Sequence, residues 1–450
     1  MPMLLLSESL PDPLPPGPVF PKIYPELDQD ILTESEKFTD GQPWELFARL
    51  RAQAPVSWQR EGGNGPGFWA LTRYEDVMRV DGDPKTFSSQ KGGILMTYGP
   101  KESRHPLLFR ASVDAMINMD APWHLQLRRE HMPYFTPAYL AGLKEKVAAE
   151  TTRLIDNMAH LSECDLVEKL SALLPLFTLC EILGVPQSDQ PKFITWMHYL
   201  EVAGYITAKQ RKDPQLTPEL LQFVKAFNEN VAEMFEYGQH MLQKRRADPK
   251  PDLMSAIARA TVNGELLRNE YLDGSWLLIV FAGNDTTRNT ISGSMKLLTE
   301  FPDQRRALMA DMSLLPNAVD ELIRMVSPVI YMRRTATCDT EIGGQKIAEG
   351  EKVVMYFSAA NRDPSVFPDP DRLDIRRANA SKNIAFGFGP HVCIGKRVAQ
   401  LQLEEVYRQL LRRLPDIEYA GGIDVAPNNF VHAIRKLPVR FTPERLIARQ

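Results

Sequence analysis

Apolar residues recur every three to four positions over long stretches of this 450-residue chain, a period that predicts helices rather than strands for most of it. Over residues 137–246 the pattern runs through Leu170, Leu173, Leu174 and Phe177, and Leu183-Gly184-Val185-Pro186 reads as a stop. Pro175 is expected to break or kink this region, because proline lacks the N–H that a helix interior uses. After Asn269 an apolar run through Trp276, Leu277, Leu278, Ile279, Val280 and Phe281 passes into polar residues up to 298, which predicts one long, central, buried helix. Residues 396–414 predict another helix. Polar, proline-containing breaks at 209–218 and 246–252 read as loops between helices.

Strand signals are fewer. Residues 56–59 and 67–71 are β-like and precede a helical 74–80, and short β segments are predicted at 340–346 and 352–357. The fold class is therefore mainly α with minor β. A prior of about 150 residues per domain predicts roughly three domains, yet no linker interrupts residues 41–450. We expect a proline-rich arm over residues 1–40 and a single domain over 41–450.

Composition narrows the function. With 53 basic against 57 acidic residues the net charge is −4, which argues against nucleic-acid binding. Cys164, Cys180, Cys338 and Cys393 are scattered and form no Cys-x-x-Cys pair, so a reducing, cytoplasmic location without a disulfide framework or zinc cluster is expected. The apolar start soon meets Glu8, Asp12 and six prolines between Leu10 and Lys22, so neither a membrane anchor nor a signal peptide is expected.

The chemistry begins at Phe386-Gly387-Phe388-Gly389-Pro390-His391-Val392-Cys393-Ile394-Gly395. Glycines and a proline hold a tight loop in which a flat group can approach the backbone and N–H groups can turn toward an anionic sulfur. A helix starting directly after it places Cys393 near a helix N-terminus, which favours a thiolate. Taken alone, Cys393 is equally readable as one more buried thiol. The loop resembles the haem-binding loop of the cytochrome P-450 enzymes and fills every fixed position, Phe386, Gly395 and Cys393 included. The resemblance implies the cytochrome P-450 fold, with a long central helix over haem b (iron protoporphyrin IX) and Cys393 as the iron ligand.

Other segments carry the same resemblance. Ala282-Gly283-Asn284-Asp285-Thr286-Thr287 puts an acid and hydroxyls into an apolar helix, where they are costly unless used. By themselves Asp285 and Thr286 also read as a surface acid and a back-bonding threonine; the resemblance makes them a proton relay for oxygen activation, in a helix that opens beside the haem. Glu321 and Arg324 are three apart on one helix face and can pair. The resemblance adds Arg372 as the third member of a buried structural network. His124 and Arg128, four apart on one face, are suited to carboxylates; the resemblance assigns them to the haem propionates with His391 and with Arg334, which has Arg333 beside it.

The reaction implied is monooxygenation of a hydrophobic small molecule of terpenoid, alkyl, steroid or aromatic class, using O₂ and two electrons. By motif position the pocket is lined by Leu278, Phe281, Ala282, Ile330, Tyr331, Met332, Phe430 and Val431, each of which also reads as ordinary core. Residues 92–98 and 196–206 would form a roof. No flavin or iron–sulfur module follows Cys393, so electrons are expected from a separate ferredoxin and ferredoxin reductase. Arg128, Arg129, Lys396, Arg397, Arg408, Arg412 and Arg413 offer either a basic docking patch or merely solvated helix faces. A monomer is expected. A peroxide-using haem-thiolate enzyme and a non-catalytic haem sensor are the alternatives.

Overall fold

The computed structural model describes residues 31–60, 66–94, 105–212, 217–262, 264–267 and 269–444. The proline-rich segment at 11–25 and positions 95–98 of the expected roof lie outside the described residues. Long helices dominate, at Pro137–Ala159, Gln190–Lys212, Pro218–Ala247 and Lys396–Arg413. Local chemistry sets their ends. Thr136 caps the first by accepting from the Tyr139 amide, with proline at the first helical position.

The expected break lies just before Pro175, where a π-helix gives way to an α-helix at Ala172. Pro175 falls in the first turn of Leu173–Leu183, directly after the π-helical Val167–Ser171. Gly184 ends that helix in the left-handed conformation, as the predicted stop requires. Lys212 is still helical, so the first predicted loop begins later than expected.

A five-stranded sheet runs in the order Val56–Gln59, Phe68–Leu71, Lys352–Tyr356, Tyr331–Ala336, Phe87–Ser88. All neighbours are antiparallel except Phe68–Leu71 against Lys352–Tyr356. Both faces are covered. Trp69, Leu71, Val353 and Met355 enter one apolar cluster with Val77 and Phe87, while Phe68, Ala70, Val354 and Tyr356 enter another with Phe38 and Phe47. The period-2 alternation of side chains thus divides one sheet between two cores.

The largest apolar cluster joins the helices through residues such as Ile155, Trp276, Ile291, Leu322 and Leu403. Among the described residues no helix is long and apolar enough to cross a membrane. The expected long central helix is interrupted: Asn269–Ala282 and Asp285–Glu300 are separate, with Gly283 and Asn284 between them.

Candidate active site

The cysteine loop is shaped by two left-handed glycines, Gly387 at φ 70° and Gly389 at φ 69°. A Cβ on Gly389 would stand 2.5 Å from the Asp81 carbonyl oxygen, so a side chain is excluded by space as well as by backbone conformation. The Cys393 amide donates to the Phe386 carbonyl at 2.9 Å and closes the loop. Lys396–Arg413 starts immediately afterwards. The Cys393 thiol receives the backbone N–H groups of Gly395 and Lys396 and has Arg128 and Lys396 nearby. Burial pushes the thiol pKa up, and those donors and cations pull it back. Although surrounded by protein, Cys393 keeps open side-chain surface. That is the situation of a ligand facing an internal recess.

His124, Arg128, Arg334 and His391 come together. The two imidazoles stack with ring centres 3.9 Å apart. Burial, then the cations Arg128 and Arg334, lowers the pKa of His124 to about 4. Burial, then Arg334, His124 and Arg128, lowers that of His391 to about 2. Both rings are neutral at pH 7. Arg128 Nη2 donates to the Val392 carbonyl at 2.6 Å and so also braces the cysteine loop. Of the adjacent pair, Arg334 is the one that faces the histidines. Arg333 turns to the carbonyl of Lys91 at 3.0 Å and packs against Gly92. Arg334 is also held by an acid that the sequence pattern did not single out, Asp81, at 2.6 Å.

At the helix interruption the Thr286 hydroxyl donates to the Ala282 carbonyl at 3.2 Å, across the break. A Cβ on Gly283 would meet Leu179 at 2.9 Å and Ile279 O at 3.0 Å. Asp285 turns away from Thr286 toward Arg288, 3.5 Å away, and Arg288 lies 3.7 Å from Glu201 of the Gln190–Lys212 helix. Burial raises the Asp285 pKa, Arg288 opposes the rise, and Glu201 adds to it. Glu201 and Arg288 had no local sequence signal, because their meeting depends on how two distant helices pack.

The glutamate–arginine pair is confirmed in geometry, but its third partner is corrected. Arg324 binds Glu321 through two hydrogen bonds of 2.7 and 2.8 Å with both side chains fully buried. Arg377, not Arg372, supplies the other guanidinium, with Nε 2.9 Å from Glu321 Oε1. Arg372 is exposed and gives only its carbonyl, which accepts from Arg377 Nη2 at 3.1 Å. The Asp374 carboxylate accepts the Arg376 amide at 3.0 Å, in a turn that leaves Arg376 outside and sends Arg377 inward.

Among the expected pocket residues, Phe281 and Ala282 are exposed, Leu278 and Phe430 partly so, and Met332 and Val431 nearly buried. Ile330 and Tyr331 are corrections. They are 0% and 2% exposed, and Tyr331 packs on Tyr356 and Phe430 at 5.6 and 5.4 Å, so core packing consumes both. Trp196, in the expected roof, is likewise core and bonds Glu233 at 3.2 Å. Phe386 is partly buried against the main cluster under the Lys396 ammonium, 5.5 Å from its ring centre, and a Cβ on Gly395 would stand 3.8 Å from the sulfur. Of the basic residues proposed for docking, Arg128 points inward, Arg413 is bound by Glu444 and Asp156, and Arg408 lies near Glu404 and Glu405. Arg129, Arg397 and Arg412 are the exposed remainder.

A soft sulfur with amide donors, beside two arginines and two histidines placed for paired carboxylates, fits haem b. Comparisons with known proteins agree. A family model described as Cytochrome P450 matches residues 105–415. The chain is 35% identical to linalool 8-monooxygenase of Pseudomonas putida over 421 residues, 93% of this chain and 100% of that protein. It is 34% identical over 421 residues to steroid C26-monooxygenase of Mycolicibacterium smegmatis, covering 93% and 97% of the two chains. Among solved structures, Mycobacterium marinum cytochrome P450 CYP268A2 in complex with pseudoionone superposes with a TM-score of 0.81 and 33% identity, over 94% of this chain and 100% of that one. With this coverage and a loop, interrupted helix and buried glutamate–arginine network that agree with it, the chain belongs to the cytochrome P450 family, as a monooxygenase.

Proposed function

We propose that residues 41–450 form one catalytic domain that hydroxylates a branched or alicyclic apolar molecule of terpenoid, steroid or lipid type, with electrons from a separate ferredoxin and ferredoxin reductase. The observation that carries this reading is the pairing of an amide-supported Cys393 with a helix that breaks beside Asp285 and Thr286. The substrate class is drawn from the relatives, which include the two monooxygenases above and a methyl-branched lipid omega-hydroxylase of Mycobacterium tuberculosis, 32% identical over 406 residues. Phe281, Ala282 and Leu278 supply apolar surface that suits such molecules.

Bound at Cys393, haem iron supplies O₂ binding and reductive activation. The chain's own residues do the rest. Gly395 and Lys396 amides steady the sulfur, and His124, Arg128, Arg334 and His391 would hold the carboxylates. Asp285 is pulled in opposite directions by burial and by Arg288, which keeps its carboxyl able to take up and release a proton near its raised pKa. Thr286 Oγ1 gives its proton to the Ala282 carbonyl and presents its lone pairs at the break, and becomes a donor there when that bond is exchanged. Because Asp285 points to Arg288 and Thr286 to Ala282, a relay between them requires a water or a side-chain rotation.

The test has two parts. The reduced carbon-monoxide complex should show the red-shifted Soret band of thiolate ligation, lost in Cys393→Ser; an unshifted band in the native enzyme rejects the reading. With NADH, ferredoxin and reductase, Asp285→Asn should slow product formation about a hundredfold, and Thr286→Ala should divert electrons to peroxide while keeping haem. Unchanged coupling of NADH to product in Thr286→Ala rejects the relay, and turnover supported by peroxide alone favours the peroxide-using alternative.

A further inference from the structure

Asp81 ties together two parts of the site that the chain brings from opposite ends, and no motif contains it. It lies in the last turn of Tyr74–Gly82 and is 3% exposed. A carboxylate there is doubly disfavoured, by burial and by the negative end of its own helix. Two donors compensate. Oδ1 accepts from Arg334 Nη2 at 2.6 Å, and Oδ2 accepts from the Phe388 amide at 2.7 Å. The same residue's carbonyl is the atom that forbids a side chain at Gly389, and its Oδ2 would stand 3.2 Å from a Cβ on Gly387. The cysteine loop is therefore moulded around Asp81 at three successive positions, 387 to 389.

With Arg128, Arg334 is one of the two guanidinium groups whose charge depresses both His124 and His391. A full ion pair with Asp81 offsets part of that charge. We propose that Asp81 is a positioning residue that sets the reduction potential of the haem iron, by fixing Phe388 in the cysteine loop and by moderating the positive charge of Arg334 beside the carboxylate site. The inference rests on the reading of His124, Arg128, Arg334 and His391 as the carboxylate-binding group. Net charge around an iron centre is one of the levers on its potential, since uncompensated positive charge favours the form with one more electron. Asp81→Asn keeps the shape and one acceptor oxygen but removes the negative charge, so the ferrous state should gain.

The holoenzyme is titrated spectroelectrochemically. The wild-type carbon-monoxide band is recorded first, and its absence would overturn the haem-thiolate reading and this inference with it. Given that band, Asp81→Asn should retain it and move the midpoint to more positive potential, by up to about tenfold in the reduction equilibrium, about 59 mV for one electron. Asp81→Glu, which keeps the charge, should stay near the wild-type potential. A wild-type midpoint in an Asp81→Asn protein that keeps the band overturns the proposal, whatever happens to its thermal stability. If Asp81→Asn fails to retain haem, Asp81→Glu decides. Haem retained at the wild-type potential supports the need for the carboxylate, and loss of haem there too assigns Asp81 to shape alone.

Discussion

The arginines around Glu321 and those around His391 differ in what answers their charge. Around Glu321, one carboxylate takes four donors: Arg324 Nε and Nη2, Arg377 Nε at 2.9 Å and the Asp374 amide at 3.1 Å. The other guanidinium contacts go to the carbonyls of Asn361 and Pro370 and the Met325 thioether for Arg324, and to the carbonyls of Pro368, Asp369 and Arg372 for Arg377. Around His391, by contrast, two arginines and two imidazoles share a single bonded carboxylate among the described residues, Asp81, and the imidazoles are forced neutral. The first cluster closes on itself and can only be structural. The second is short of anions, which is the electrostatic mark of a site built for an anionic ligand.

The largest effect is expected where the closed network is opened. Glu321→Gln leaves Arg324 and Arg377 buried without their shared charge, and breaking a buried pair from one side costs about 3–5 kcal/mol. Thermal unfolding should show a large loss or no folded protein. A near-native midpoint would mean that the carbonyls alone satisfy the two guanidinium groups. In the open cluster the same kind of change should spare the fold. Arg128→Gln should weaken haem affinity by about 1.5–3 kcal/mol, roughly tenfold to somewhat over a hundredfold, the worth of a charged hydrogen bond. Haem-dissociation kinetics and unfolding of the haem-free protein separate the two effects. A large drop in haem-free stability would erase the contrast between the clusters.

Acid titration sharpens the same contrast with a smaller signal. His124 and His391 have folded pKa values far below their ordinary 6.5, so they favour folding only while neutral. Their contribution is present above pH 6.5 and is lost as pH falls from there toward about 4. Haem carboxylates would favour the protonated rings and lift those values, shrinking the loss. Stability of the haem-free protein should therefore fall more steeply between pH 6.5 and 5 than that of the holoenzyme. His432, lowered to about 4 by burial, should contribute equally to both curves. Parallel curves would show that no anion binds beside the histidines.

What was legible in the sequence was chemistry packed into a few adjacent positions. Cys393 with Gly387, Gly389 and His391, the acid and hydroxyls at 285–287, and the i, i+3 pair Glu321–Arg324 are all fixed by local geometry. Helix positions followed from periodicity, and the break near Pro175 followed from its missing N–H. The misses share a different cause. Asp81 meets Phe388 from 307 positions away, and Arg288 meets Glu201 between two helices. Ile330 and Tyr331 sit at the edge of a strand whose two faces enter different clusters, so which way they turn depends on sheet packing.

The smallest predicted effect tests the finest of these distinctions, the choice between two arginines five positions apart. Arg372 and Arg377 both follow the Phe367-Pro368-Asp369-Pro370 run, and charge or spacing alone does not separate them. The structure does: Asp374 turns the chain, Arg377 becomes buried, and Arg372 keeps its side chain in solvent while offering its carbonyl inward. Since any residue supplies that carbonyl, Arg372→Ala should change stability by no more than about 0.5 kcal/mol. Arg377→Ala removes a charge that Glu321 holds in the core and should cost several times as much. Unfolding midpoints of the two variants, measured side by side on the holoenzyme, settle the assignment. Equal and large losses would place Arg372 in the network after all, and equal and small ones would show that Arg324 alone satisfies Glu321.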